Sequence, residues 1–208
     1  MSFALELNAL LPADLPHRDT VIQKSAAHLD LIVEANRIMN LTRILDAREA
    51  AIKHVLDSVI PWRAFADAKI VVDVGTGAGF PGIPLALVLP QTRFVLLESI
   101  QKKARFVQSV VDALQLPNVE VHPVRAEHWL ATHKADILTA RAVAPLSKAF
   151  PLFAPALRRG LRALFYKGPD AEQEIAEATK GKGTASVILR YDLPDGLGTR
   201  TLVETHGW

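Results

Sequence analysis

Cysteine is absent from this chain of 208 residues. That excludes disulfides, thiolate metal sites and a cysteine nucleophile. The seven histidines are scattered without the spacing of metal ligands, so no metal centre is expected. No stretch approaches the roughly 18 uninterrupted apolar residues of a membrane span, and no membrane partner is expected. Met1-Ser2-Phe3-Ala4-Leu5-Glu6 lacks the basic start and small-residue cleavage site of a signal peptide. Internal repeats and low-complexity tracts are missing too. Together these absences point to the reducing cytoplasm. With 50% hydrophobic and 22% charged residues, the composition suits one α/β domain with an appendage.

Acidic residues are missing locally. Between Ile137 and Pro169 stand six basic residues (Arg141, Lys148, Arg158, Arg159, Arg162, Lys167) and no acid. Lys102, Lys103 and Arg105 form a second basic cluster. Such runs either track a phosphate backbone or cover a solvated helix face. Two of them in one probable cofactor domain favour a polyanionic substrate. Lys102, Lys103, Arg105, Lys148, Lys167 and Arg200 are the candidates for contacting it, although Lys167 or Arg200 taken alone reads first as structural.

Residues 1 to 68 read as a helical extension, and 69 to 208 as the main unit. Ile22, Leu29, Ile32 and Val33 mark a helix over Thr20 to Asn36. Asp46-Ala47-Arg48-Glu49 has the form of a capping box. Ile52, Val55, Leu56, Val59 and Ile60 then mark one helical face, which Pro61 ends. His54, Asp57 and Ser58 are expected on the opposite side of that helix. From Lys69 onward, apolar β-branched runs at 70–74, 93–98, 119–124, 136–140, 161–166, 185–191 and 200–205 predict seven strands. Helical spacing separates the first six, which implies βαβ units and a parallel sheet. Leu193-Pro194-Asp195-Gly196-Leu197-Gly198 reads as a hairpin joining the last two.

The first strand runs into Asp73-Val74-Gly75-Thr76-Gly77-Ala78-Gly79-Phe80 and a helix start at Pro81-Gly82-Ile83-Pro84. A glycine-rich turn there lets a ligand approach the backbone closely. The glycines fall at 75, 77 and 79 rather than in the G-x-G-x-x-G of dinucleotide enzymes. This D-x-G-x-G-x-G pattern resembles motif I of S-adenosylmethionine (AdoMet) methyltransferases, which makes Asp73, Gly75, Gly77, Gly79 and Phe80 cofactor candidates. AdoMet has no phosphate, so it needs an open turn and carboxylates rather than the amide donors of a helix N-terminus. Glu98, at the end of the second strand, is placed to accept from ribose hydroxyls. Ala126-Glu127 follows the third strand, where Glu127 either borders the adenine or caps a helix. Arg141 ends the fourth strand, where it could bind a carboxylate or phosphate bidentately, or form a structural salt bridge.

Asn40-Leu41-Thr42, His54-Val55-Leu56-Asp57-Ser58, Asp73 to Ala86 with its Gly79-Phe80-Pro81-Gly82-Ile83-Pro84, Leu97-Glu98-Ser99 with Lys102-Lys103, Ala140-Arg141-Ala142 and Lys167-Gly168 occur in the order seen in the RsmG (GidB) family. The chain resembles that family from about residue 36 to 205. The resemblance implies a class I Rossmann-like α/β fold, with a seven-stranded mostly parallel sheet, helices on both faces and an N-terminal helical extension. It implies AdoMet as cofactor and methylation of guanine N7 in the decoding-region loop of 16S ribosomal RNA. The partner would be that RNA or the small-subunit particle, not DNA, and the protein a monomer. Gly75, Phe80, Ala126, Glu127 and Arg141 would contact AdoMet, with Glu98 near the ribose. Apart from the resemblance, His54 and Asp57 either face the cleft, where they contact substrate or a partner loop, or belong to an ordinary solvated face.

The missing residues agree. Without cysteine, covalent attack on C5 of a pyrimidine is excluded, and no [D/N]-P-P-[Y/F] follows the fourth strand, as exocyclic-amine methyltransferases often have. Two other readings stay open at this point: an AdoMet enzyme acting on a small molecule or protein, and a non-catalytic RNA- or ribosome-binding module.

Overall fold

In a computed structural model of the chain, residues 2–44, 46–178 and 184–206 are described. β1 (Ile70–Val74), β2 (Arg93–Leu97), β3 (Val119–His122), β4 (Ile137–Arg141), β5 (Arg162–Lys167), β6 (Thr184–Asp192) and β7 (Thr199–His206) form one sheet in the order β3-β2-β1-β4-β5-β7-β6. The first five are mutually parallel, and β7 lies antiparallel between β5 and β6. The seven expected strands are all present, and the expected hairpin joins β6 to β7 through a short turn at Pro194–Gly196.

Alternation along each strand sorts side chains to the two faces. Val71, Phe94, Leu96, Ile137 and Leu164 enter one core, and Val72, Val95, Leu97, Leu138 and Phe165 the other. Because both faces are covered, these strands read as nearly continuous apolar runs. The first core is roofed by α1 (Phe3–Leu10), α2 (Arg18–Met39), α5 (Gly82–Val88) and α6 (Gln101–Ala113), and Leu7, Leu29 and Ile32 are buried in it. The second is roofed by α7 (Ala126–Thr132), α8 (Leu146–Leu157) and α9 (Ala171–Ala178). The helical spacing between the fifth and sixth strands spans 170–180, and its last two residues lie outside the described residues.

The rod that carries His54 and Asp57 is unusual. α3 (Ala47–Ala50), a π-helical stretch Ala51–Leu56 and α4 (Asp57–Val59) run on without a break. Asp46 caps it by accepting from the Glu49 N–H at 2.8 Å. The reciprocal half of the capping box is not made, since Glu49 pairs with Lys53 instead. Within the π stretch the Asp57 N–H donates to the Ile52 carbonyl, five residues back. That inserts an extra residue into the turn and rotates everything after it. The expected outward face therefore fails at its end. Asp57 is 2% exposed and Ser58 is fully buried, so neither belongs to a solvated face.

Candidate active site

The glycine turn leaves β1 at the carboxyl edge of the sheet, where parallel sheets place their ligands. Gly75, Gly77 and Gly79 adopt φ of 65°, 62° and 102°. A Cβ at Gly75 would lie 2.9 Å from Val143 Cγ2. Asp73 braces the turn from beneath. Its Oδ2 accepts from the Thr76 hydroxyl at 2.6 Å and the Gly82 N–H at 2.9 Å. Its Oδ1 is buried with no partner among the described residues. Burial pushes the Asp73 carboxyl up to about 6, against the pull of those two donors. Glu98 follows directly on β2. It accepts from Gly77 N–H at 3.2 Å and Ile100 N–H at 2.8 Å, which ties the turn to the start of α6.

Beside the turn, a cavity of about 140 Å³ is lined by Val74, Gly75, Ala126, Glu127, Val143 and Phe153, among others. A larger cavity of about 680 Å³ opens on the other side of Val143, which lines both. Lys53, His54, Asp57, Arg141, Lys167, Glu174 and Arg200 supply its polar wall. Arg141 Nη1 donates to the Lys53 carbonyl at 2.7 Å and to Asp57 Oδ2 at 3.2 Å. Its guanidinium sits 5.5 Å from the Phe80 ring centroid. Asp57 Oδ1 in turn accepts from the Tyr191 hydroxyl at 2.9 Å and lies 3.8 Å from Arg200. The sequence thus predicted Asp57 and Arg141 separately, and the fold joins them.

Phe80 is buried and stacks with two imidazoles, His28 at 4.7 Å and His54 at 4.8 Å between centroids. His28 Nε2 donates to the Ala78 carbonyl at 2.7 Å, so its Nδ1 carries no proton. His54 Nε2 meets the Thr42 hydroxyl at 3.1 Å. Burial drives His28 down to about 4; burial first, then the Arg141 charge, drives His54 to about 3. Both rings are neutral at pH 7, which suits packing and positioning and not acid catalysis.

A pH dependence follows. Unfolded imidazoles take up protons near pH 6.5 and the folded ones only near 4 and 3, so stability falls as pH drops from 6.5. Asp73 works in the opposite direction between about 6 and 3.8, because its folded carboxyl protonates first. Two histidines outweigh one aspartate. The melting temperature should fall between pH 7 and pH 5, with a smaller fall in His28→Gln; a flat wild-type profile would contradict this.

Comparison with known proteins decides the family. The sequence model described as rRNA small subunit methyltransferase G matches residues 21–191. Ribosomal RNA small subunit methyltransferase G of Solibacter usitatus is 65% identical over 98% of this chain and 99% of its own. Its counterpart from Leuconostoc citreum is 36% identical over 91% and 84%. The chain belongs to the rRNA small subunit methyltransferase G family. Its fold is shared with an O-methyltransferase from Bacillus cereus in complex with SAH (TM-score 0.60, 17% identity, 95% of this chain and 94% of that one). It is shared also with the O-methyltransferase TomG from Streptomyces achromogenes in complex with SAM (TM-score 0.56, 20% identity, 86% and 90%).

As a member of the rRNA small subunit methyltransferase G family, the chain is an AdoMet-dependent enzyme, and the family methylates guanine N7 of 16S ribosomal RNA. The basic stretch from 137 to 169 does not form one face. Arg141 and Lys167 line the large cavity and Lys148 lies in the first turn of α8, at the same edge of the sheet. Arg158, Arg159 and Arg162 fall at the opposite edge, where Arg159 donates to the Leu130 carbonyl and Arg162 pairs with Glu204. Lys167 is held in the cavity wall by the Ala144 carbonyl and Glu174, both at 2.8 Å. Lys102 and Arg105 are exposed on α6.

Three polar cavity residues, Lys53, Tyr166 and Glu174, are not marked by any sequence pattern, and neither is Tyr191 behind Asp57. Tyr191 stands in β6, cross-strand partner of Arg200, and no local pattern links it to Asp57. Tyr191→Phe removes its bonds to the Asp57 carboxylate and carbonyl. It should cost about 1.5–3 kcal/mol, at roughly 2–4 °C of melting temperature per kcal/mol. Calorimetry checks this, and an unchanged transition would show that the hydroxyl contributes nothing.

Proposed function

We propose that this chain methylates N7 of a guanine in the decoding-region loop of 16S ribosomal RNA, in the cytoplasm and as a monomer, on naked RNA or an assembling small subunit. Residues 1–68 serve as an extension of the one methyltransferase unit. The juxtaposition of the glycine turn with a larger, cation-lined cavity across Val143 carries this reading. The residues present fit AdoMet: glycines at 75, 77 and 79 for close approach, the Glu98 carboxylate following β2 beside that turn, and an apolar slot beside Ala126 and Glu127. Bound there, AdoMet supplies a methyl group on a positively charged sulfur.

Guanine N7 has a lone pair and no proton at neutral pH, so no residue needs to deprotonate it and none needs to bond to it. The chain's task is alignment. Glu98, Gly77 and Asp73 fix the turn that seats the cofactor. Asp57 and the Lys53 carbonyl fix Arg141, and neutral His54 packs against Phe80 beneath them. Lys53, Lys167 and Arg200 give the cavity a positive wall suited to an RNA strand. RNA carrying 7-deazaguanine at the target should accept no methyl from labelled AdoMet, whereas the guanine RNA does. Equal labelling of the two would overturn the reading.

A further inference from the structure

Two carboxylates line the large cavity, Asp57 and Glu174. They are not equivalent. Both oxygens of Asp57 are engaged, Oδ1 by the Tyr191 hydroxyl and Oδ2 by Arg141, with Arg200 close by. Glu174, on α9, receives its two donors on one oxygen: Oε2 accepts from the Leu146 N–H at 3.0 Å and from Lys167 Nζ at 2.8 Å. Among the described residues Oε1 accepts nothing. The carboxylate is fixed through one oxygen by a helix N-terminus and an ammonium, while the other retains its accepting capacity at the cavity.

Its position in the fold matters as much. The glycine turn follows β1, and α9 follows β5 through Lys167 and Gly168. From β1 to β5 the sheet steps across β4, two strand spacings, or roughly 10 Å at about 4.8 Å each. A purine whose N7 faces the turn side of the cavity therefore turns the far edge of its ring toward α9. In guanine that edge carries two donors, N1–H and the N2 amine. In adenine the same edge offers the N1 lone pair.

We propose that Glu174 is the residue that selects guanine, accepting from N1–H and the N2 amine through Oε1 while Lys167 holds the carboxylate in place. This rests on the guanine-N7 reading above. A site built to accept hydrogen bonds rejects a base lacking the donors more strongly than an apolar pocket could, because Oε1 is then covered without a donor or faces a lone pair. Lys167 contributes to the selection as the partner that aims Glu174, in addition to its charge at the wall.

The test uses the whole enzyme, labelled AdoMet and three small-subunit RNAs that differ at the target position: guanosine, inosine (no N2 amine) and adenosine. Single-turnover rates should fall at least about tenfold for inosine and about a hundredfold for adenosine in the wild type. In Glu174→Gln the guanosine rate should drop at least about tenfold and the guanosine-to-inosine ratio should approach one, with AdoMet affinity by calorimetry unchanged. A merely structural Glu174 would slow all three RNAs alike and leave the ratios intact, and that result overturns the proposal. Should the glutamine variant fail to fold, Glu174→Asp keeps the charge and withdraws the carboxylate by one methylene; it must show the same loss of discrimination. If the wild type methylates none of the guanosine RNA, the functional reading itself falls, a distinct outcome from unchanged ratios.

Discussion

Gly75→Ala should leave a folded protein that no longer binds AdoMet usefully. At φ 65° an L-residue costs on the order of 1–2 kcal/mol, a loss a domain of this size can survive. The larger effect is local. The new Cβ would lie 2.9 Å from Val143 Cγ2, so Val143 must shift, and Val143 lines both the cofactor slot and the substrate cavity. Calorimetric titration with AdoMet should show affinity weakened by about a hundredfold or more, with a melting temperature only a few degrees lower. Wild-type affinity in this variant would mean that the turn does not seat the cofactor.

Asp57→Ala should be the most damaging change in the substrate cavity. It leaves the part-buried Arg141 guanidinium without its counter-charge and leaves the Tyr191 hydroxyl only the backbone carbonyl of residue 57 as acceptor. Breaking a buried pair by removing one partner costs about 3–5 kcal/mol. Single-turnover methylation should fall at least about a hundredfold, since the Lys53 carbonyl alone then holds Arg141. Asp57→Asn, which keeps an acceptor for Tyr191, should recover part of the stability but little of the rate. Single-turnover methylation unchanged in Asp57→Ala would remove Asp57 and Arg141 from the account.

The sheet was legible because its strands are buried on both faces, so Ile70–Val74, Arg93–Leu97 and Ile137–Arg141 stand out as apolar runs between helical spacings. The glycine turn was legible for a related reason: few residue types tolerate the left-handed backbone of Gly75. Asp57 was found as a candidate facing a cleft, but its burial was not anticipated. A 3.6-residue period cannot anticipate the π stretch Ala51–Leu56, directly after which Asp57 and Ser58 are buried. Tyr191 was out of reach, because its contact with Asp57 spans 134 residues and depends on β7 inserting between β5 and β6. Charge counted along the chain misled in another way. α8 runs from one edge of the sheet to the other, so Lys148 and Arg158 of a single basic stretch end up on opposite sides of the molecule.

The most direct measurement is to incubate the enzyme with labelled AdoMet and small-subunit RNA and to map the modified base. One methyl group at N7 of a single guanine in the decoding-region loop is the predicted result. Label on protein, on a pyrimidine or on an exocyclic amine would contradict the account.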